Sequence, residues 1–191
     1  MLNIIQVLLW AVTYLLIIIA GFQSRHARLV AIPHLAVLQN FAWEACAMLH
    51  SGIEWSFLLW LSLDLVILLL GLRSIRSGAR RLLYLAGLAV WTAVFLLCSS
   101  LPNGMVISCF VIDLLMAVYF LLDRRRLSPH FKRSIAVTKL LGDTFAGLFY
   151  ARFSDLVAIL ALFAFICNVS YLLLCVKDAM QESQPVRGSV S

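Results

Sequence analysis

Seven apolar stretches, each about as long as a helix that crosses a lipid bilayer, dominate the sequence. They lie at roughly 4–21, 31–50, 54–72, 82–99, 105–122, 134–150 and 154–176. A spanning helix needs roughly 20 mostly apolar residues, so seven spans with tight loops use nearly all of the 191 residues. We therefore predict an all-α, polytopic membrane protein, with one seven-helix transmembrane domain over residues 1–180 and a polar cytoplasmic tail over 181–191.

The scarcity of charge supports the same class of protein. Only 13% of the residues are charged and 63% are hydrophobic, whereas about a quarter of the residues of a soluble domain are charged. This excludes a soluble enzyme, a disordered chain and a disulfide scaffold. The five cysteines are scattered singly, without the close pairs of a metal or redox motif. Any chemistry must therefore depend on groups inside the membrane or on short loops.

The basic residues predict the orientation, because cytoplasmic loops retain Lys and Arg. Thirteen of the fifteen follow the odd-numbered stretches, namely Arg25, Arg28, Arg73, Arg76, Arg80, Arg81, Arg124, Arg125, Arg126, Lys132, Arg133, Lys177 and Arg187. Only Arg152 lies in a loop on the other side. We expect a lumenal or exterior N-terminus and a cytoplasmic C-terminus, in the endoplasmic reticulum of a fungus or the plasma membrane of a bacterium. The net charge of +6 then needs no nucleic-acid partner.

Several polar residues fall inside the predicted spans. The charged ones are Glu44, Asp64, Asp113, Lys139 and Asp143, and the amides are Asn40 and Asn168. A charge near the bilayer centre costs roughly 2.5 kcal/mol or more, so such residues usually face the interior of the bundle. Counted at 1.5 Å per residue from the lumenal ends, the four acids lie roughly 9 to 15 Å deep and Asn168 roughly 20 Å deep. These depths predict one polar pocket in the lumenal half.

Helical spacing groups these polar residues with aromatic rings, since positions three and four apart share a face. The stripes are Asn40, Trp43, Glu44 and Ala47 in the second span, Phe57, Trp60 and Asp64 in the third, and Phe165, Asn168 and Tyr171 in the seventh. Lys139 and Asp143 are four apart in the sixth span and are expected to pair with each other. An acid or an amide flanked by aromatic rings is the recurrent arrangement.

Each of these features has a structural alternative. Lys139 and Asp143 can form a structural ion pair, without a role in catalysis. Asp64 and Asp113 can form hydrogen bonds to neighbouring helices. The aromatic residues of the stripes fit ordinary packing. Glu44 is different because its helix contains no basic residue, so desolvation favours the neutral acid. A buried neutral carboxylic acid is a potential proton donor.

Two segments carry a resemblance to a known family. They are Gln39-Asn-Phe-Ala-Trp-Glu-Ala-Cys and Phe57-Leu-Leu-Trp-Leu-Ser-Leu-Asp-Leu-Val-Ile. They resemble the integral-membrane terpene cyclases of meroterpenoid and indole-diterpene pathways, of the paxilline and pyripyropene type, in which an Asn, a Trp-Glu pair and a Trp-x-x-x-Asp-Leu-Val pattern occupy the second and third spans. The resemblance continues at Asp113-Leu-Leu-Met-Ala-Val-Tyr-Phe, the basic run 124–126, Lys139-Leu-Leu-Gly-Asp and Cys167-Asn-Val-Ser-Tyr.

The resemblance implies a catalytic role for Glu44. Members of the family protonate a terminal epoxide or alkene of a prenylated substrate, and the carbocation cyclises into fused rings. Their second essential acid lies in the last span, where this chain has Asn168. Because an amide is no acid, either Asp64 or Asp113 shares the work, or Glu44 acts alone, or the activity differs. The predicted catalytic residues are Glu44, Asp64 and Asp113, and the predicted substrate-binding residues are Asn40, Trp43, Trp60, Asn168 and Tyr171.

The resulting expectation is a terpene cyclase, of the isomerase or lyase type, that acts on a farnesylated or geranylgeranylated aromatic or heteroaromatic compound in secondary metabolism. No Asp-rich diphosphate-binding motif is present, so we expect protonation without a metal or cofactor. Expected partners are the lipophilic substrate, the bilayer, and a prenyltransferase and an epoxidase of the same pathway. The main alternative is a small multi-pass transporter or proton-coupled carrier, because intramembrane carboxylates also form proton relays. A third hypothesis is that the protein is a non-catalytic subunit of a membrane assembly.

Overall fold

The computed structural model describes residues 2–23, 32–52, 54–127 and 131–182. Within these ranges the chain forms seven α-helices and no strand, which confirms the all-α prediction. The helices are α1 (Leu2–Gln23), α2 (His34–Ser51), α3 (Trp55–Ser74), α4 (Gly78–Ser99), α5 (Gly104–Leu122), α6 (Lys132–Tyr150) and α7 (Asp155–Glu182). Arg25, Arg28, Arg187 and residues 183–191 of the predicted tail lie outside the described residues.

The turn between α4 and α5 shows how closely the helices are joined. The amide of Leu101 donates to the carbonyl of Cys98 at 3.0 Å, and the amide of Gly104 donates to that of Leu101 at 2.9 Å. Asn103 has a left-handed backbone with φ of 55°. A Cβ on Gly104 would lie 1.9 Å from the Cys98 carbonyl oxygen, so only glycine fits there. The turn therefore starts α5 directly beside the end of α4.

Six helices form a ring and the seventh packs outside it. Helix α1 contacts α3 and α6, α2 contacts α3 and α5, and α7 contacts α5 and α6. Helix α4 packs against α2 and, over a smaller area, against α5. Consistent with this outer position, Tyr84 and Phe95 are the buried side chains of α4. The polar residues predicted to face inward lie on the ring helices.

Five of the described helices are long and apolar enough to cross a membrane, namely α1, α3, α4, α5 and α7. Helices α2 and α6 carry more polar residues, including Asn40 and Glu44 in α2 and Lys139 and Asp143 in α6. These side chains are buried, whereas large apolar side chains such as Leu83 and Leu97 are exposed. Charged side chains inside the bundle and large apolar side chains on its outer surface fit a membrane-embedded protein.

Candidate functional site

A cavity of about 270 Å³ opens at the end of the bundle where α1, α3 and α5 begin and α2 and α6 end. This is the end predicted to be lumenal. Its rim is polar and is formed by Asn3, Gln6, Ser51, Glu54 and Ser56. Gln6 Nε2 donates to Asn3 Oδ1 at 2.8 Å, which connects two of these residues. The cavity therefore has a hydrogen-bonding mouth.

Aromatic side chains form much of the cavity wall, namely Trp10, Tyr14, Trp43, Phe57, Trp60, Phe110 and Tyr150. The Trp43 and Phe57 ring centres are 6.0 Å apart, and those of Phe57 and Trp60 are 6.1 Å apart, both edge to face. Edge-to-face contacts are a favourable arrangement of aromatic pairs. The three rings form a continuous aromatic surface on α2 and α3.

The indole N–H groups of this surface have their own partners. Trp43 Nε1 donates to Ser108 Oγ at 3.0 Å and lies 3.2 Å from the Met105 carbonyl oxygen. Trp60 Nε1 lies 3.4 Å from the Val7 carbonyl oxygen, across the interface with α1. These bonds fix the two rings and satisfy their polar edges. The structure thus places Trp43 and Trp60, both predicted to bind substrate, in the cavity wall.

Glu44 lies in the same wall and is only 2% exposed. Its Oε1 accepts hydrogen bonds from Tyr14 Oη at 2.9 Å and from Asn40 Nδ2 at 3.2 Å. Asn40 Nδ2 also donates to Asp64 Oδ2 at 2.7 Å. Oε2 of Glu44 has no hydrogen-bond partner among the described residues. Oε1 is therefore held in place by two donors, whereas Oε2 is buried and receives no hydrogen bond from a described donor.

A second buried group lies on α6 and α7. Lys139 Nζ is 2.5 Å from Asp143 Oδ2, which confirms the predicted ion pair. Asn168 Nδ2 donates to the same oxygen at 2.6 Å. Asn168 is therefore joined to this ion pair across the interface between α6 and α7.

Asp113 on α5 is the other acid in the cavity wall, and its side chain is buried with 7% exposure. No described residue makes a hydrogen bond or an ion pair to its carboxyl group. Asp143 and Lys139 are the charged groups that act on it through space. Asp113 therefore faces the cavity without a direct partner.

The structure brings most of the predicted site residues together. Those in the cavity wall are Glu44, Asp113, Asn40, Trp43 and Trp60. Asp64 lies behind the wall, where it shares the Asn40 amide with Glu44 and is also within hydrogen-bond reach of the Glu44 carboxyl group. Asn168 lies behind it as well, on the Lys139–Asp143 pair.

Tyr171 lies away from this cavity, although it is predicted to bind substrate. Its ring centre is 5.4 Å from that of Phe120, in a buried apolar cluster that also contains Leu127 and Cys175. Phe165, from the same predicted stripe, is 42% exposed, so its ring is not enclosed in the bundle with Asn168 and Tyr171. Tyr171 therefore matches the packing alternative.

Sequence reasoning missed the contribution of α1. Trp10 and Tyr14 line the cavity, and Tyr14 supplies the shortest hydrogen bond to Glu44. Helix α1 contains no charged residue, so it attracted no functional assignment. Its Gln6, Trp10, Thr13 and Tyr14 nevertheless recur every three or four positions, which is the signal of one helical face.

Comparison with known proteins finds no matching family model, no matching curated protein and no matching solved structure.

The bond from Tyr14 to Glu44 can be tested by stability. Tyr14→Phe removes a buried donor, and we expect the free energy of unfolding to fall by about 1 to 3 kcal/mol. Titration of the purified protein in mixed micelles with a denaturing detergent measures this quantity. Tyr84→Phe is the matched control, because the Tyr84 hydroxyl is buried without a hydrogen-bond partner among the described residues. Equal stability of the two variants would contradict the hydrogen bond.

Proposed function

We propose that the protein is a membrane-embedded terpene cyclase that starts its reaction by protonating a terminal epoxide or alkene. The observation that carries the proposal is the position of Glu44. It is a buried acid in the wall of an aromatic cavity, with Oε1 held by Tyr14 and Asn40 and with Oε2 unpartnered. A general acid needs a fixed geometry at the wall of the site that holds the reacting atoms.

The proposed reaction is an isomerisation in which a proton enters and a proton leaves. Glu44 donates its proton through Oε2 to the epoxide oxygen or the terminal alkene carbon, and the resulting carbon cation is attacked by the next alkene of the chain. Each attack converts one π bond into a ring σ bond. Loss of a proton from the last cation forms a new alkene. We assign that final proton to Asp113, which lines the same cavity without a direct partner.

Asp64 supports Glu44 in this proposal without touching the substrate. It shares the Asn40 amide with Glu44 and lies behind the wall. The role that we assign to Asp64 is therefore to position Glu44. The protons balance over one turnover because Glu44 loses one and Asp113 gains one, and water at the polar mouth of the cavity then takes a proton from Asp113 and returns one to Glu44.

The aromatic surface suits a positively charged intermediate. A desolvated ring stabilises a cation over its face by roughly 0.5–2 kcal/mol. Trp43, Phe57 and Trp60 contact one another and all face the cavity. The indole N–H groups of Trp43 and Trp60 donate to Ser108 and to a backbone carbonyl, so the carbon atoms of the rings face the cavity. Such walls stabilise a cation without supplying a nucleophile that would trap it.

The volume of the cavity indicates which part of the substrate fits inside it. Pockets for drug-sized ligands occupy roughly 300–1,000 Å³, and this cavity has about 270 Å³. We propose that the reacting end of the prenyl chain enters it, while the aromatic or heteroaromatic half lies at the polar rim. Asn3, Gln6 and Ser56 would then meet the polar atoms of that half. Farnesyl and geranylgeranyl substrates remain the two candidate classes.

The proposal includes a seven-span topology with a lumenal or exterior N-terminus and a cytoplasmic C-terminus. Helices α2 and α6 have 18 and 19 residues, which correspond to about 27 to 29 Å at 1.5 Å per residue. A hydrocarbon core is about 30 Å thick. Their charged residues are buried in the bundle, so lipid need not solvate them. The membrane would be the endoplasmic reticulum of a fungus or the plasma membrane of a bacterium.

A substrate panel tests the proposed activity. Membranes that contain the protein are incubated with farnesylated and geranylgeranylated aromatic compounds, each with and without a terminal epoxide, as a prenyltransferase and an epoxidase would supply them. We expect a product of unchanged mass with fewer carbon–carbon double bonds from at least one compound, detected by mass spectrometry and NMR. Recovery of all four unchanged from membranes with folded protein would contradict the activity.

A small transporter or proton-coupled carrier is the alternative. It is supported by the open mouth of the cavity and by two acids in its wall, since intramembrane carboxylates also relay protons. Many transporters bind their substrates at discontinuous helices. The seven helices that the structure describes are each continuous, which favours the cyclase over this alternative.

A further inference from the structure

The buried charges of the described residues do not balance. Four acids are buried, Glu44, Asp64, Asp113 and Asp143, and Lys139 is the one buried base. Lys139 is committed to Asp143 at 2.5 Å. Buried carboxyl groups must be paired with a cation, hydrogen-bonded, or neutralised. The remaining three acids therefore form no direct ion pair in the described part of the bundle, and Lys139 acts on Asp113 only through space.

Two of these three acids are directed to the cavity. Glu44 keeps Oε2 unpartnered, and the carboxyl group of Asp113 has no hydrogen bond or ion pair to a described residue. Both side chains are more than nine-tenths buried. The wall and rim, as far as the structure describes them, contain no Lys, Arg or His, and Glu54 adds a third acid at the rim. The cavity wall thus has two acids with no Lys, Arg or His beside them in the lining, so a bound cation would be balanced by ionisation of one of these acids.

The aromatic wall adds a second, independent preference for a cation. Ring faces attract positive charge, and cages of aromatic rings are used to bind quaternary ammonium groups. Trp43, Phe57 and Trp60 present such a surface, and Trp10 lies in the same wall. The Trp10 ring already has one cation beside it, since Lys139 Nζ is 5.3 Å from its centre. Lys139 itself is not part of the cavity wall.

The volume limits the size of a ligand that fits entirely inside. A cavity of about 150 Å³ holds a benzene molecule of six carbon atoms, so about ten non-hydrogen atoms fit in the 270 Å³ here. Inorganic cations prefer oxygen ligands, whereas most of this wall is aromatic. An ion with an apolar surface matches the wall better than a hydrated metal ion does.

We propose that the cavity binds a compact lipophilic ammonium ion, whose charge is balanced when one of the two acids Glu44 and Asp113 ionises on binding, and whose hydrocarbon groups contact the aromatic wall. The proposal concerns binding alone and depends on the charge, lining and volume of the cavity. It does not require that the protein be a cyclase, so cyclase activity and ammonium binding are tested separately.

Benzyltrimethylammonium is a suitable probe because it has eleven non-hydrogen atoms and a permanent charge. Its neutral control is 2,2-dimethylpropylbenzene, in which carbon replaces nitrogen and the shape is kept, and its anionic control is phenylmethanesulfonate. Isothermal titration of the purified full chain in detergent measures the Kd, with each ligand referred to its free aqueous concentration. We expect the ammonium ion to bind at least tenfold more tightly than the neutral isostere, and the anion not to bind.

Two variants test whether the preference for the ammonium ion over its neutral isostere depends on the two acids. Glu44→Gln combined with Asp113→Asn keeps the size of both side chains and removes both charges, and we expect the tenfold preference to disappear. Asp155→Asn, at an exposed acid in the first turn of α7, should keep it. The comparison of ligands on the unmodified protein decides the proposal even if the double variant does not fold. Equal binding of the neutral isostere, or displacement of the probe by an equal concentration of sodium ions, would overturn the proposal.

Discussion

Glu44→Gln is expected to reduce the rate of cyclisation by about a hundredfold to ten-thousandfold, the usual contribution of a general acid. Glutamine has nearly the same size, and its carbonyl oxygen can still accept hydrogen bonds from Tyr14 and Asn40 at 2.9 and 3.2 Å. It cannot donate an acidic proton. The variant therefore removes the proposed chemistry and leaves the local structure in place. The rate is measured by product formation per amount of inserted protein.

Asp155→Asn is the matched control for Glu44→Gln. Asp155 is an exposed acid at the start of α7, away from the cavity wall, so the same acid-to-amide change there should leave the rate within a factor of two. Abundance and membrane insertion of both variants are compared by quantitative blotting of membrane fractions. An unchanged rate for Glu44→Gln would exclude it as the initiating acid.

Lys139→Met is expected to produce the largest loss of stability, about 3 to 5 kcal/mol, because it leaves one partner of a buried ion pair uncompensated. Lys139 and Asp143 are 1% and 5% exposed at their side chains, and the Nζ to Oδ2 distance is 2.5 Å. Without the ammonium group, Asp143 retains only the Asn168 amide as a hydrogen-bond donor. The free energy of unfolding in mixed micelles measures the loss.

Two further variants separate the ion pair from a general effect of losing a lysine. Lys177→Met changes an exposed lysine near the end of α7 and should cost less than about 0.5 kcal/mol. Lys139→Met combined with Asp143→Asn removes both charges, and we expect it to recover most of the stability that the single variant loses. If Lys139→Met is no less stable than Lys177→Met, the buried pair does not stabilise the protein.

The sequence predicted the helices well because the signal for each is long and continuous. A run of about 20 apolar residues favours a long helix, and the predicted stretches agree with the ends of α1 to α7 within four residues, except that α7 ends six residues later than predicted. Lys139 and Asp143 could be paired because both lie on one helix four residues apart. Local spacing alone was sufficient for that contact.

Contacts between helices were harder to predict. Which helices meet is a tertiary property, so the bond from Tyr14 on α1 to Glu44 on α2 had no signal in local spacing. Periodicity indicates which residues share a face but not what that face meets. Asp64 could be placed near Glu44 only once α2 and α3 were seen to share Asn40. Helical spacing also grouped Tyr171 with Asn168 and so predicted that it lines the site, whereas its ring packs against Phe120.

Asn168 lies where the cyclases that the sequence resembles have their second acid, and the structure shows what surrounds this position. Asn168 donates to Asp143, which already accepts from Lys139. A carboxyl group at this position would lie against a second acid and would lose that donor. Asp113 lies instead in the cavity wall. We therefore assign the second catalytic role to Asp113, as part of the proposed function.

The central claim is that this cavity transforms its ligand rather than transporting it. The direct test uses proteoliposomes of the purified protein, an epoxidised farnesyl aromatic substrate, and mass spectrometry with NMR of both the vesicle and the external fractions. The account predicts a cyclised isomer of unchanged mass with the unmodified protein and its loss with Glu44→Gln. Accumulation of chemically unchanged substrate inside the vesicles, without any isomer, would contradict it.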